Sequence, residues 1–303
     1  MRNRFTRSLL LFVSLFAMGS RAASPAEGAV SPAPVLPAVP VQPMPRPAPA
    51  PAPGAEHTVL LLGDSLIATG FGDTLQAELD AHPSVRCRRK AKSSTGLSRP
   101  DFFDWMEAGR QEVERHQPEV VVVILGGNDG QALRDKAGGS AIAWGQAEWE
   151  TAYRQRVQDF LGVIAAPGRK IVWLELPTTG LRRFEKKLAL IRGLQREVIA
   201  AREDAVHVDT HPFFTDARGH ALQEAHVEGF RKPMRLRMTD GVHFTVAGGR
   251  YFADKVYPEV LGVLGLEPAP RHAIAPAHGT AHSASGHGAS SASHAAEPVV
   301  ATP

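Results

Sequence analysis

Short apolar runs alternate with longer stretches of helical spacing. Thr58 to Leu62 is an apolar run stopped by Gly63, and Glu119 to Leu125 is the strongest such run, carrying Val120-Val-Val-Val-Ile-Leu125. Lys170 to Leu176 is a third, stopped by Pro177, and Ala205 to Asp209 a short fourth. Continuous apolar runs of this length predict strands covered on both faces. Ser84 to Lys90 reads as a further strand, at a sheet edge because it is so charged. Between them, apolar spacing of three and four predicts helices over 67–81, 101–116, 147–165 and 185–203. Thr245 caps a last helix running to about Leu264. This alternation predicts a three-layer α/β domain, flavodoxin-like, with a central parallel sheet and helices on both faces. In such sheets ligands bind beyond the carboxyl ends of the strands, so reactive residues are expected immediately after the apolar runs.

The periodic part spans 57–267, and both flanks differ from it. In residues 1–22, Arg2, Arg4 and Arg7 precede the apolar stretch Leu9 to Met18, and Ser20-Arg-Ala22 is a small-x-small site. That is the pattern of a Sec-type signal peptide and places the protein in the periplasm or outside the cell. The apolar stretch is shorter than the about 20 residues of a membrane span, although an uncleaved anchor is the alternative. Residues 23–56 are rich in Pro and Ala, a disordered or semi-rigid linker through which the protein can associate with the envelope. Residues 268–303 form an Ala/Ser/His-rich tail whose histidines lack metal-ligand spacing.

The full chain carries +3; removing four arginines with residues 1–22 gives +3 − 4 = −1. The basicity belongs to the leader, and nucleic acid is not an expected partner. Cys87 is the single cysteine, so no internal disulfide forms. Within its strand it reads as a small buried residue rather than a reactive thiol.

Polar residues do follow the runs. Gly63-Asp-Ser65 comes after the first, Gly126-Gly-Asn-Asp129 after the central one, and Asp240-Gly-Val-His243 before the last helix. A serine hydroxyl needs an adjacent base to act as a nucleophile, and a histidine oriented by a carboxylate is the common one. Asp204-Ala-Val-His207 repeats the Asp–His spacing, but it sits inside a strand, and His211 is a further spare candidate.

Leu62-Gly-Asp-Ser-Leu66, Ser93-Ser-Thr-Gly-Leu97, Gly126-Gly-Asn-Asp129 and Asp240-Gly-Val-His243 together resemble, in order, the four blocks of the SGNH (GDSL-like) hydrolase superfamily. Gly96-Leu-Ser-Arg-Pro-Asp-Phe-Phe-Asp-Trp105 resembles an exported bacterial branch that is similar to enzymes acting on acyl groups of envelope polymers. The resemblance implies Ser65 as nucleophile, His243 as base and Asp240 as its orienting acid. It implies an oxyanion hole from the Ser65 and Gly96 backbone amides and the Asn128 side chain, with no metal and no organic cofactor. Asp64 and Asp129 are expected to organise the loops.

The implied function is hydrolysis of short acyl esters, O-acetyl above all, on envelope or extracellular carbohydrate. An O-acyltransferase using the same triad and a non-catalytic carbohydrate- or envelope-binding domain are the alternatives. The basic stretch Arg231–Arg237 is either a solvated loop or a wall of the site. Arg99, Trp144, Arg235 and Arg237 are the candidate substrate contacts, with Trp149 as a second stacking candidate and Trp173 as core. The sequence leaves the oligomeric state open.

Overall fold

A computed structural model of the protein describes residues 57–268. The expected signal peptide (1–22), the Pro/Ala-rich linker (23–56) and the tail from 269 onward lie outside the described residues.

Five parallel strands form the central sheet: β1 (His57–Gly63), β2 (Val85–Ala91), β3 (Val120–Ile124), β4 (Lys170–Leu174) and β5 (Ala205–Val208). Their spatial order is β2-β1-β3-β4-β5, the flavodoxin-like order. Register runs in step along β1 and β3, with Val59 beside Val120 and Gly63 beside Ile124. Every residue of β3 is buried, which is why it reads as an unbroken apolar run. β2 is an edge strand, and its arginines and lysine are half-buried, as expected from its charge.

The helices are α1 (Ser65–Ala68), α2 (Gly70–Ala81), α3 (Trp105–His116), α4 (Ala147–Ile164), α5 (Arg182–Ala200), α6 (His211–Phe214) and α7 (Val246–Leu264). α2 packs on α7 in one layer, and α3 on α4 and α4 on α5 in the other. In the first layer Phe71 stacks on Phe252 with ring centroids 4.0 Å apart. In the second, Phe160 of α4 meets Trp173 of β4 edge-on. Cys87 is fully buried, and burial pushes its thiol well above the ordinary range, the inert behaviour expected of it.

The helix expected over 67–81 is two helices. Thr69 is extended (φ −119°, ψ −173°) and breaks the run, so the turn carrying Ser65 stands apart from α2. The helix expected from 101 starts at Trp105, where the Asp104 carboxylate accepts from the Met106 and Glu107 amides. Two small antiparallel ribbons that have no signal in the hydrophobic pattern join Leu133–Arg134 to Ala141–Ile142 and Glu224–Ala225 to Met234–Arg235. Among the described residues, no helix is long and apolar enough to cross a membrane.

Candidate active site

The three reactive blocks meet at the carboxyl rim of the sheet. β1 ends at Gly63, and the next residue, Asp64, caps α1 by accepting the Leu66 amide at 3.0 Å. Ser65 therefore begins a helical turn at the strand tip. Its Oγ lies 2.9 Å from His243 Nε2, and His243 Nδ1 lies 2.7 Å from Asp240 Oδ2. The other Asp240 oxygen accepts from the Val242 and His243 backbone amides at 2.8 and 2.9 Å. That turn fixes the carboxylate and places it under the ring. With Nδ1–H donated to Asp240, Nε2 is left to accept from the serine hydroxyl. Desolvation raises the Asp240 carboxyl, but the hydrogen bonds from the His243 ring and the two amides outweigh it and hold it at about 2. It is a carboxylate throughout the working pH range.

The loop after β3 is tied to the loop after β2. Gly126 takes φ +119°, and a Cβ there would lie 2.6 Å from Gln195 Nε2, so only glycine fits. Asn128 Nδ2 donates to Thr95 O at 2.9 Å, using one of its two amide protons. The buried Asp129 carboxylate accepts from the Leu97 and Ser98 amides (3.1 and 2.8 Å) and from the Tyr153 hydroxyl (2.9 Å). Burial raises Asp129 from its ordinary range, against the pull of these donors.

Asp64 is fully buried, and its Oδ2 has no hydrogen-bond partner. Burial raises it to about 7; the Leu66 amide opposes this and the neighbouring Asp129 adds to it. Both acids thus organise the loops, as expected of them.

A cavity of about 90 Å³ opens beside the triad. Ser65, Asn128 and His243 line one side, and Leu176, Phe184 and Leu188 form an apolar wall. The structure brings Ser94, not Gly96, to this cavity. Ser94 is left-handed at φ +62°, whereas Gly96 packs against Asp129, and a Cβ on it would lie 2.1 Å from Asp129 Oδ1. The glycine in the second block is therefore explained by the packing of Asp129. A non-glycine residue at positive φ carries no sequence signal, which is why Ser94 was missed.

The candidate substrate contacts divide. Arg237 lines the cavity, 5% exposed, but Arg99, Trp144 and Arg235 do not. Arg99 is held by Asp101 at 2.8 Å, and Arg235 is exposed on the ribbon. Trp144 is half-buried, edge-on to Trp149 and beneath Lys187 Nζ at 5.4 Å. Trp149 is 1% exposed and stacks on Tyr153, so it is core and not a platform for a sugar ring. Trp173 is core as expected. His207 pairs with Glu175 at 3.2 Å, and His211 Nδ1 with Thr178 Oγ1 at 3.1 Å; neither ring touches Ser65. Among the described residues no three His, Cys, Asp or Glu side chains cluster as a metal site would require.

The family model described as "Protein of unknown function (DUF459)" matches residues 58–259. The chain belongs to that family. No curated protein matches the sequence. Solved structures similar to this DUF459 chain include a variant of an acetyl xylan esterase from Geobacillus stearothermophilus, with 15% identity over 72% of this chain and 99% of that one, at a TM-score of 0.48. A lipase/acylhydrolase from Enterococcus faecalis is 17% identical over 71% and 100% of the two chains, at 0.47. A psychrotrophic esterase from Pseudoalteromonas sp. is 15% identical over 69% and 99%, also at 0.47. Likeness at this level transfers neither substrate nor residue roles. The sheet order and the positions of the four blocks are in keeping with the SGNH resemblance.

Proposed function

We propose that the protein is a serine esterase of the SGNH type that hydrolyses short acyl esters, chiefly O-acetyl, on envelope or extracellular carbohydrate. The observation that carries this reading is the Ser65–His243–Asp240 chain of hydrogen bonds, 2.9 and 2.7 Å long, at the mouth of a small cavity.

In this reading His243 takes the Ser65 proton as Oγ attacks the ester carbonyl. Asp240 holds the ring in the required tautomer and stabilises the imidazolium. The negative oxygen is met by the Ser65 amide and the second N–H of the Asn128 side chain. The resemblance assigns the third donor to the Gly96 backbone amide. Donors of this kind are worth about 2.7–4 kcal/mol each. His243 then returns its proton to the departing alcohol, leaving the acyl group on Ser65, and water repeats the sequence to release the acid. The leader pattern of residues 1–22 supports a site of action outside the cytoplasm.

The test is turnover of 4-nitrophenyl acetate and of acetylated glycans by wild type and Ser65→Ala, with fluorophosphonate labelling of Ser65. Wild type should label and release acetate, and the variant should do neither while remaining folded. Activity retained by Ser65→Ala, or folded wild type that resists labelling, ends the proposal. A sugar acceptor that collects the acetyl group in place of water would reassign the enzyme as an acyltransferase.

A further inference from the structure

Arg237 is a buried cation in the wall of the catalytic cavity, and among the described residues no carboxylate lies within 4.0 Å of it. Its guanidinium donates to Val242 O and to Thr178 O at 2.9 Å. Its face lies over Phe244, 3.9 Å from the ring centroid, with Phe214 at 5.0 Å. These contacts use two of five N–H groups and hold the hairpin that presents His243. They do not neutralise the charge. The nearest acids are otherwise committed: Glu185 to Arg192, Thr179 and the Thr179 amide, and Asp240 to His243.

An uncompensated buried charge is costly and is retained where something pairs with it. The surroundings add cations; Asp64 also lines the cavity with an unpartnered Oδ2, but burial raises it to about 7 and so holds much of it as the neutral acid. α5, whose Phe184 and Leu188 wall the cavity, begins with exposed Arg182 and Arg183 and continues with exposed Lys186. Cations at a helix N-terminus oppose the helix dipole, so this placement does not serve the helix.

We infer that Arg237 is a recognition site for an anionic group, carboxylate or phosphate, lying within a few bonds of the scissile ester. The substrate is then an acidic ester, with the acyl group on Ser65 and the anion against the guanidinium fork. This rests on the esterase reading given above. An anion on the alcohol describes an acylated acidic glycan, and one on the acyl group a half-ester of a dicarboxylic acid.

The experiment compares kcat/KM for 4-acetoxybenzoate against its methyl ester, and for mono-4-nitrophenyl succinate against 4-nitrophenyl butyrate. Wild type should favour one anionic ester by about 10–100-fold, the range of a charge-assisted hydrogen-bond pair. Which pair shows the preference tells which side of the ester carries the anion. In Arg237→Gln that ratio should fall to near one. No anionic preference in either pair, or a preference that survives Arg237→Gln, overturns the inference. If Arg237→Gln does not fold, Arg237→Lys, which keeps charge without the planar fork, should lose most of the preference. Failure of the esterase reading is seen separately, because 4-acetamidobenzoate binding to Ser65→Ala needs no turnover. That ligand should bind more tightly than its methyl ester if the anion sits on the alcohol side, and N-phenylsuccinamate more tightly than N-phenylbutanamide if it sits on the acyl side; equal affinity within both pairs also overturns the inference.

Discussion

Asp240→Asn separates an orienting carboxylate from a mere turn former. Asparagine can keep the turn, because its carbonyl oxygen accepts from the Val242 and His243 amides as Asp240 Oδ1 does at 2.8 and 2.9 Å. Its NH₂ must then occupy the Oδ2 position, 2.7 Å from His243 Nδ1. Two donors cannot face each other there, so the ring proton moves to Nε2, toward Ser65 Oγ at 2.9 Å. The base is then unable to accept the serine proton. The imidazolium also loses its counter-charge, worth about 1 kcal/mol in water and about 4 kcal/mol at an effective dielectric of 20 for charges about 4 Å apart. Asp240's side chain is 46% exposed, so the loss lies between these limits. Added to the wrong tautomer, it predicts a fall in kcat of roughly 10²–10⁴. The assay is kcat on 4-nitrophenyl acetate at pH 7.5, with the unfolding transition measured alongside. A folded Asp240→Asn retaining more than about a tenth of wild-type kcat would refute the assignment.

Other perturbations read other parts of the site. Asn128→Ala should lower kcat by about 10²–10³ with little change in KM, since its free amide proton meets charge only in the transition state; an effect confined to KM would remove it from the oxyanion site. Asp64, with its native pKa raised from 3.8 to about 7, binds its proton more tightly folded than unfolded. Wild-type stability should therefore fall as pH rises from about 4 to 7, and Asp64→Asn should lack that part of the decline. Parallel Tm–pH curves for the two proteins would contradict it. Gly96→Ala should lose about 1–3 kcal/mol in denaturant titrations, because the new methyl meets Asp129 Oδ1 at 2.1 Å. An unchanged midpoint would show that Asp129 moves aside freely.

What the sequence discloses follows from where the physical cause lies. β3 is legible because both its faces are covered, so every position must be apolar. The triad blocks are legible because strand-end turns hold short polar motifs together. Thr69 was not, since Ile67, Phe71, Leu75 and Leu79 keep helical spacing across an extended residue. Trp149 has a signal that went unused: with Tyr153, Val157, Phe160 and Ile164 it continues the buried stripe of α4. Ser94 and Arg237 depend on tertiary contacts. Only folding shows that one turn is left-handed and that one arginine of a basic run lies over Phe244 while Arg235 stays in solvent.

Ser65 and His243 are separated by 178 positions, and α7, which follows His243, docks on the helix that follows Ser65. Phe252 stacks on Phe71, and a Cβ on Gly249 would come within 2.7 Å of the Gly70 backbone. On the esterase reading, the nucleophile is therefore synthesised early and stays inert until nearly the last segment of the domain arrives. A nascent or C-terminally clipped chain has a serine without its base. During refolding, turnover should return only with that terminal docking event, well after helical circular dichroism, making catalysis a clock for the longest-range step in assembly.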